Sequence, residues 1–119
     1  FSLGNGRRVD VAAIDRSGTV AVAEIKASLA DWRADRKWPE YLDYCDFFYF
    51  AVAAEFPRAE LPAEHGLMIA DRFGADVARP APRRRLNANR RRALTLRFAR
   101  AAAERLQRQH DESSNRVVP

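Results

Sequence analysis

The sequence predicts an α/β domain, a mixed sheet with helices packed on it, and three features of the chain point to that class. Thr19 to Lys26 and Phe47 to Ala53 are apolar runs of strand length, rich in β-branched and aromatic residues. The segment between them, Ala27 to Cys45, changes to helical spacing. The chain then closes on a long helical pattern from Asn87 to about Gln109.

Taken in order, Phe1 to Leu3 closes a first strand, and Gly4-Asn5-Gly6 is a strong hairpin turn. Val9 to Ile14 reads as a strand, Asp15-Arg16-Ser17-Gly18 as a turn, and Thr19 to Lys26 as the clearest strand of all. In the helical segment Trp38, Tyr41, Leu42 and Cys45 share a face; Asp35 is its expected N-cap, with Pro39 in the first turn. Gly66 to Ala70 is a short strand after a Pro-containing loop. Asp71 to Asp76 turns the chain, and Val77 belongs to an edge strand. Pro80 to Arg85 is an extended basic connector. In the last helix Leu94, Phe98, Ala101 and Ala102 form the expected core stripe, with Arg97, Arg100, Arg105 and Arg108 on the wet side. These elements divide the chain into one domain over residues 1–110 and a polar, frayed tail over 111–119.

With 119 residues there is room for one domain and a real core. Hydrophobic residues at 47% against 31% charged exclude a disordered chain. No apolar run approaches the roughly 20 residues of a membrane-spanning helix, and the start shows no secretory pattern. The chain opens at Phe1 almost directly into a strand pattern, so the domain is expected to begin upstream. The single Cys45 permits no internal disulfide and no zinc cluster, which fits a reducing, cytoplasmic compartment. His65 and His110 have no ligand partners in the pattern. The net charge is +5, and of the 21 basic residues only Lys26 and Lys37 are lysines. Arginine forks suit phosphate oxygens, so the balance is compatible with nucleic acid and equally with an anionic protein.

The chemistry concentrates on Asp10, Glu24 and Lys26. Glu24 and Lys26, two apart on a strand, point to one face together with Val20 and Val22, half withdrawn from water. A tight turn makes the Asp10 strand an antiparallel neighbour, which brings Asp10 near Glu24. Two carboxylates about 4 Å apart repel by roughly 4 kcal/mol at an effective dielectric near 20, and one lysine compensates only one of them. A hard divalent cation resolves the remainder. The plain alternative is a Glu-x-Lys salt bridge, which most such pairs are.

Asp10, followed by Glu24-Ile25-Lys26 on the next strand and then a helix, resembles the core of the PD-(D/E)xK nuclease superfamily. More closely, Gly4 to Asp10, Glu24 to Lys26 and the run from Asp31 through Trp38-Pro39-Glu40-Tyr41 to Asp46 resemble the MmcB-like bacterial DNA repair proteins. The similarity continues through Gly66-Leu67, Ala70-Asp71 and Ala93 to Ala99. It implies a restriction-endonuclease-like mixed sheet flanked by helices; many members also carry an acidic residue on a helix before the hairpin, which is expected upstream of Phe1. It further implies that Asp10, Glu24 and the carbonyl of Ile25 bind Mg²⁺ or Mn²⁺. Lys26 would orient the attacking water and offset charge on the phosphate. In RecB-type relatives a Gln and a Tyr follow one helical turn apart; Lys37 and Tyr41 stand at comparable positions, a lysine replacing the glutamine.

DNA is the expected partner, contacted by Lys37, Tyr41, Arg83, Arg84, Arg85 and Arg90; a solvated connector and helix start are the alternative for the arginines. Trp32, Trp38, Tyr41 and Tyr44 are candidates to stack on unpaired bases, but Trp38 and Tyr41 read as core, and Cys45 as packing. Three functions are open at this point: a Mg²⁺-dependent nuclease of DNA repair, a DNA-binding module on the same fold that cuts little or nothing, and a protein-interaction domain with a structural Glu24–Lys26 pair. A homodimer and further repair proteins are conceivable partners, near the nucleoid.

Overall fold

The computed structural model describes the backbone of residues 1–117 and the side chains of residues 1–113. Five strands lie in sequence order across one sheet: β1 (Val11–Ile14), β2 (Val20–Ile25), β3 (Phe47–Val52), β4 (Gly66–Asp71) and β5 (Gly74–Arg79). β1 and β2 are antiparallel, β2, β3 and β4 are parallel, and β5 returns antiparallel on β4. The predicted mixed sheet with helices is the observed architecture. It is consistent with a restriction-endonuclease-like fold.

The β1–β2 hairpin is set by its turn. The Asp15 carboxylate accepts the N–H of Ser17 and Thr19 at 2.8 and 3.0 Å, and Gly18 takes the positive φ of 84° that the reversal needs. Ahead of it, Phe1 to Leu3 forms no full strand: a single bridge joins Ser2 to Arg8 around the Gly4-Asn5-Gly6 loop. Phe1 is held by two hydrogen bonds exchanged with the Val9 backbone, at 2.9 and 3.1 Å, and by stacking on Phe98, with ring centroids 4.3 Å apart.

The parallel step from β2 to β3 is where the sequence reading needs correcting. The crossover is broken into α1 (Leu29–Ala34) and a separate 3-10 turn, Trp38–Tyr44. Ser28 caps α1 by accepting the Asp31 N–H. Asp35 closes α1 rather than capping the next element, yet its carboxylate still accepts the N–H of Lys37 and Trp38 at 2.7 and 3.2 Å. The interruption lets Trp32 and Trp38 both lie on Phe50, at 5.3 and 5.1 Å. Trp38 and Tyr41 belong to the core, as expected. Cys45 is fully buried, and burial pushes its thiol up to about 12, so it packs and does not react.

Burial along β2 alternates, with Val20, Val22 and Glu24 turned inward and Ala21, Ala23 and Ile25 outward. Phe48, Phe50 and Val52 continue the inner layer on β3. Leu3, Val9, Leu86 and Leu94 close it from the chain ends. On the other face Gly66 admits the Tyr49 ring. A Cβ there would stand 2.5 Å from that ring and 2.7 Å from the Ala81 methyl. Gly66→Ala is therefore expected to destabilise by about 1–3 kcal/mol through overpacking, measured by urea unfolding; an unchanged midpoint would sink this account of the contact.

The last helix, α2 (Ala88–Val117), is longer than expected. Asn87 accepts the N–H of Asn89 and Arg90 at its start. Leu94 is buried and Phe98 half-buried, but Ala101 and Ala102 are exposed. The core stripe therefore ends at Phe98, because the sheet offers nothing further to pack on. The helix runs straight through the stretch where a tail was expected; positions 118 and 119 of that tail lie outside the described residues. No helix among the described residues is long and apolar enough to cross a membrane.

Candidate active site

Register brings the two acids together. Val11 pairs with Ala23, so Asp10, just ahead of β1, stands opposite Glu24 on β2. The Asp10 carboxylate is fixed there by the Ile25 N–H, 2.9 Å away. Glu24 sits at the end of the inner row of β2 and is only 8% exposed. Lys26, the next residue on that face, is 4% exposed. Its ammonium lies 3.7 Å from Glu24 Oε1 and 2.5 Å from Asp35 Oδ2.

Asp35 is the residue that sequence reasoning placed without seeing its role. One of its oxygens is held by the Lys37 and Trp38 N–H groups, and the other receives Lys26. Burial raises the Asp35 carboxyl, but the hydrogen bond from Lys26 and those from the backbone outweigh it and leave the pKa lowered. Its only sequence signal was a cap position nine residues beyond the lysine it serves.

Glu24 is the unsatisfied member. Its Oε2 is buried with no hydrogen-bond partner. Burial first, then the negative charge of Asp10, push its pKa up to about 7, with Lys26 pulling the other way. Two ionised carboxylates offer each other no hydrogen, so a shared proton or a cation is what satisfies that oxygen. Among the described residues no three His, Cys, Asp or Glu side chains form a metal cage. The donor set present is two carboxylates beside the Ile25 main chain, which suits an ion that keeps several waters. These residues fit a hard divalent cation.

Glu24, Lys26, Asp31, Asp35, Lys37 and Tyr41 share the walls of one cleft of about 440 Å³. Burial and the carboxylates of Glu24, Asp35 and Asp10 push the Tyr41 phenol up, so it stays protonated. Lys37 and Tyr41 thus lie beside Glu24 and Lys26.

The arginines do not. Arg83, Arg84, Arg85 and Arg90 line a separate hollow with Leu42, Asp43 and Asn87, next to the start of β3. Phe47 there pairs with Ala21, whereas Ile25 pairs with Ala51; the offset of four residues is roughly 13 Å along the strands. They are also partly committed. Arg84 donates to the Leu42 carbonyl at 2.9 Å, Arg90 lies 4.9 Å over the Tyr44 ring, and Arg83 lies 5.9 Å over Phe47. Arg91, in the middle of its basic run, is wholly structural: it pairs through two 2.8 Å bonds with Asp46.

Residues 1–113 match the family described as DNA repair protein MmcB-like. The chain belongs to the MmcB-like DNA repair family. A solved structure of a protein of unknown function from Silicibacter pomeroyi is 45% identical to this MmcB-like chain, with a TM-score of 0.86 over 92% of it and 75% of the other. No curated protein matches. The family ties the chain to DNA repair, and so to DNA, while the Silicibacter structure adds the fold without a function.

Proposed function

We propose that this MmcB-like domain is a divalent-cation-dependent nuclease of the PD-(D/E)xK type, hydrolysing DNA phosphodiester bonds at the cleft of Glu24 and Lys26. The observation that carries the reading is the buried, partnerless Oε2 of Glu24, on a carboxyl close enough to Asp10 for that charge to raise its pKa. A protein keeps such an atom at a cost of about 1–3 kcal/mol or more, and a function explains the retention.

Asp10, Glu24 and the Ile25 carbonyl would hold Mg²⁺ or Mn²⁺. When bound, the ion supplies Lewis acidity at a phosphate oxygen and acidifies a water. Lys26, steadied by Asp35, presents positive charge where the phosphate gains negative charge. Tyr41, kept neutral, can donate its hydroxyl proton to a phosphate oxygen. Lys37 at the cleft wall meets a neighbouring phosphate as a point charge. Arg83, Arg84, Arg85 and Arg90 form a second anchoring place, far enough down the sheet to hold the backbone rather than the reacting group. The setting is the bacterial cytoplasm, at the nucleoid, among other repair proteins.

The test is a panel of duplex, single-strand, flap and junction DNA with Mg²⁺ or Mn²⁺. Cleavage is expected on at least one substrate, and Lys26→Ala should slow it by roughly 100-fold or more. One observation favours a second reading, a DNA-binding module that does not cut: the Lys26 ammonium is already engaged by Asp35 at 2.5 Å. That reading expects binding that weakens with salt and no product on any substrate, an outcome that would remove the nuclease proposal.

A further inference from the structure

The positive charge of the chain is confined to one segment. From Arg83 to Arg100 there are eight arginines and no aspartate or glutamate. Ahead of that segment ten basic residues face thirteen acids, and beyond it three face three. The excess of +5 therefore belongs to the basic connector and the first half of α2. Among the described residues only Arg84 and Arg91 of the eight reach a carboxylate. No acid stands in the first turn of α2, where the helix dipole favours one.

The fold sets these arginines in a line. Arg90 belongs both to the hollow of Arg83 and Arg85 and to a second one with Gly4, Tyr44 and Arg97. Arg97 in turn belongs to a third, with Arg8 and Arg100, which ends at Glu104. α2 carries the line from one end of the sheet to the other. At its start Arg91 holds Asp46 and the Gly18 carbonyl, beside the beginnings of β3 and β2. At Phe98 it stacks on Phe1, whose backbone is bonded to Val9, next to Asp10. Arg90 to Arg100 covers about 15 Å of helix, comparable to the roughly 13 Å between the connector arginines and the acid end of β2.

We propose that the backbone of duplex DNA lies along this line, from the connector over Arg90, Arg97 and Arg100 to Arg8, two residues from Asp10. Charge selects the occupant, because a run of guanidiniums without an acid suits a row of phosphates. The rings along the line select duplex over single strand. Tyr44 lies under the Arg90 guanidinium, Phe47 under Arg83, and Phe1 is stacked on Phe98. Each ring already has a stacking partner, whereas single strands are held on open ring platforms. The helical stretch of about 15 Å matches roughly four phosphates of one duplex strand. Contacts to phosphate carry no base reading, so the binding is indifferent to sequence. This rests on the DNA part of the proposed function and not on cleavage.

The experiment is fluorescence anisotropy with a duplex of about 20 base pairs across a salt series. It is run in EDTA, so that binding is read without cutting, and circular dichroism checks folding. The wild type should bind the duplex more tightly than the matching single strand, with log K falling against log salt at a slope of about −5. Arg97→Ala with Arg100→Ala should weaken duplex binding by roughly tenfold and flatten the slope by about 2. Arg105→Ala with Arg108→Ala removes the same charge from beyond Glu104 and should change affinity by less than about twofold. Equal losses in the two variants overturn the proposal, since net charge alone then governs binding. So does a wild type that ignores the duplex at low salt, or one that prefers the single strand. The cleavage reading fails separately. Binding that depends on Arg97 and Arg100, with no product on any substrate, keeps the line and removes the nuclease; cutting with binding that ignores both arginines does the reverse. All four changed side chains are exposed, so loss of fold does not mimic the result.

Discussion

Asp46→Ala is expected to cost about 3–5 kcal/mol, the range for removing one partner of a buried ion pair, and to leave a domain of ordinary stability close to unfolded at room temperature. Asp46 is 0% exposed. Its carboxylate accepts the Val20 N–H at 2.8 Å, the Leu86 N–H at 3.3 Å and both terminal nitrogens of Arg91 at 2.8 Å. Its own N–H donates to the Val20 carbonyl, and its carbonyl accepts from the Arg84 N–H. One residue thus ties β2, the start of β3, the basic connector and α2 together. Truncation orphans the Val20 and Leu86 N–H groups and leaves Arg91 with the Gly18 carbonyl but no anionic partner. Asp46→Asn should fall between, since an amide keeps one acceptor but cannot take the arginine fork on both atoms. The hydrogen bond from Arg91 leads a set that pulls the Asp46 pKa down to about 2, against burial, from 3.8. A lowered folded-state pKa contributes stability that is present above 3.8 and fades as the pH falls through about 2. In urea unfolding across that window the wild type should lose on the order of 2 kcal/mol more than Asp46→Ala. A variant within 1 kcal/mol of wild type at neutral pH would refute the clamp.

Much of this architecture was readable because it rests on local rules. Period-two burial placed Val20, Val22 and Glu24 on one face, and the Asp15 to Gly18 turn fixed the hairpin that sets Asp10 opposite Glu24. The break in the crossover was not readable. Trp38 and Tyr41 keep helical spacing beyond it, and what ends α1 is the pull of Lys26 and two N–H groups on the Asp35 side chain, a contact spanning nine residues. Distance along the chain hid the Asp46–Arg91 pair more thoroughly, at 45 residues. In sequence Arg91 is indistinguishable from Arg90 and Arg92, and only packing singles out the guanidinium that is bound to Asp46. The alanines at 101 and 102 misled for the opposite reason. A stripe states that a helix has an apolar side, and says nothing about whether the sheet extends far enough to meet it.

Glu24→Gln should move stability and metal binding in opposite directions, a pattern that a merely structural Glu24–Lys26 pair does not produce. Glu24 has its pKa raised to about 7 from 4.5, chiefly by burial and by Asp10. A raised folded-state pKa means that the folded protein holds a proton the unfolded chain has already lost. The stability associated with that proton is complete below 4.5 and declines as the pH rises toward 7. At pH 8 the metal-free wild type therefore carries a buried charge costing on the order of 2–3 kcal/mol. Glutamine removes the charge and keeps the shape, so the variant should unfold at higher urea than wild type at pH 8, and the two should converge near pH 4.5. Cation binding should reverse the order. Holding Mg²⁺ or Mn²⁺ requires the ionised carboxylate, so calorimetric affinity in the wild type should fall by about tenfold per pH unit below 7, and the glutamine variant should give no heat at any pH. Saturating Mn²⁺ should then raise the wild-type unfolding midpoint and leave the variant where it was. If the pair is only a salt bridge, Glu24→Gln leaves Lys26 short of a partner, lowers stability at pH 8, and changes no metal heat because there is none to change. A single titration series read by unfolding and by calorimetry separates the two, because the buried carboxylate that weakens the empty fold is the same group that a divalent cation needs.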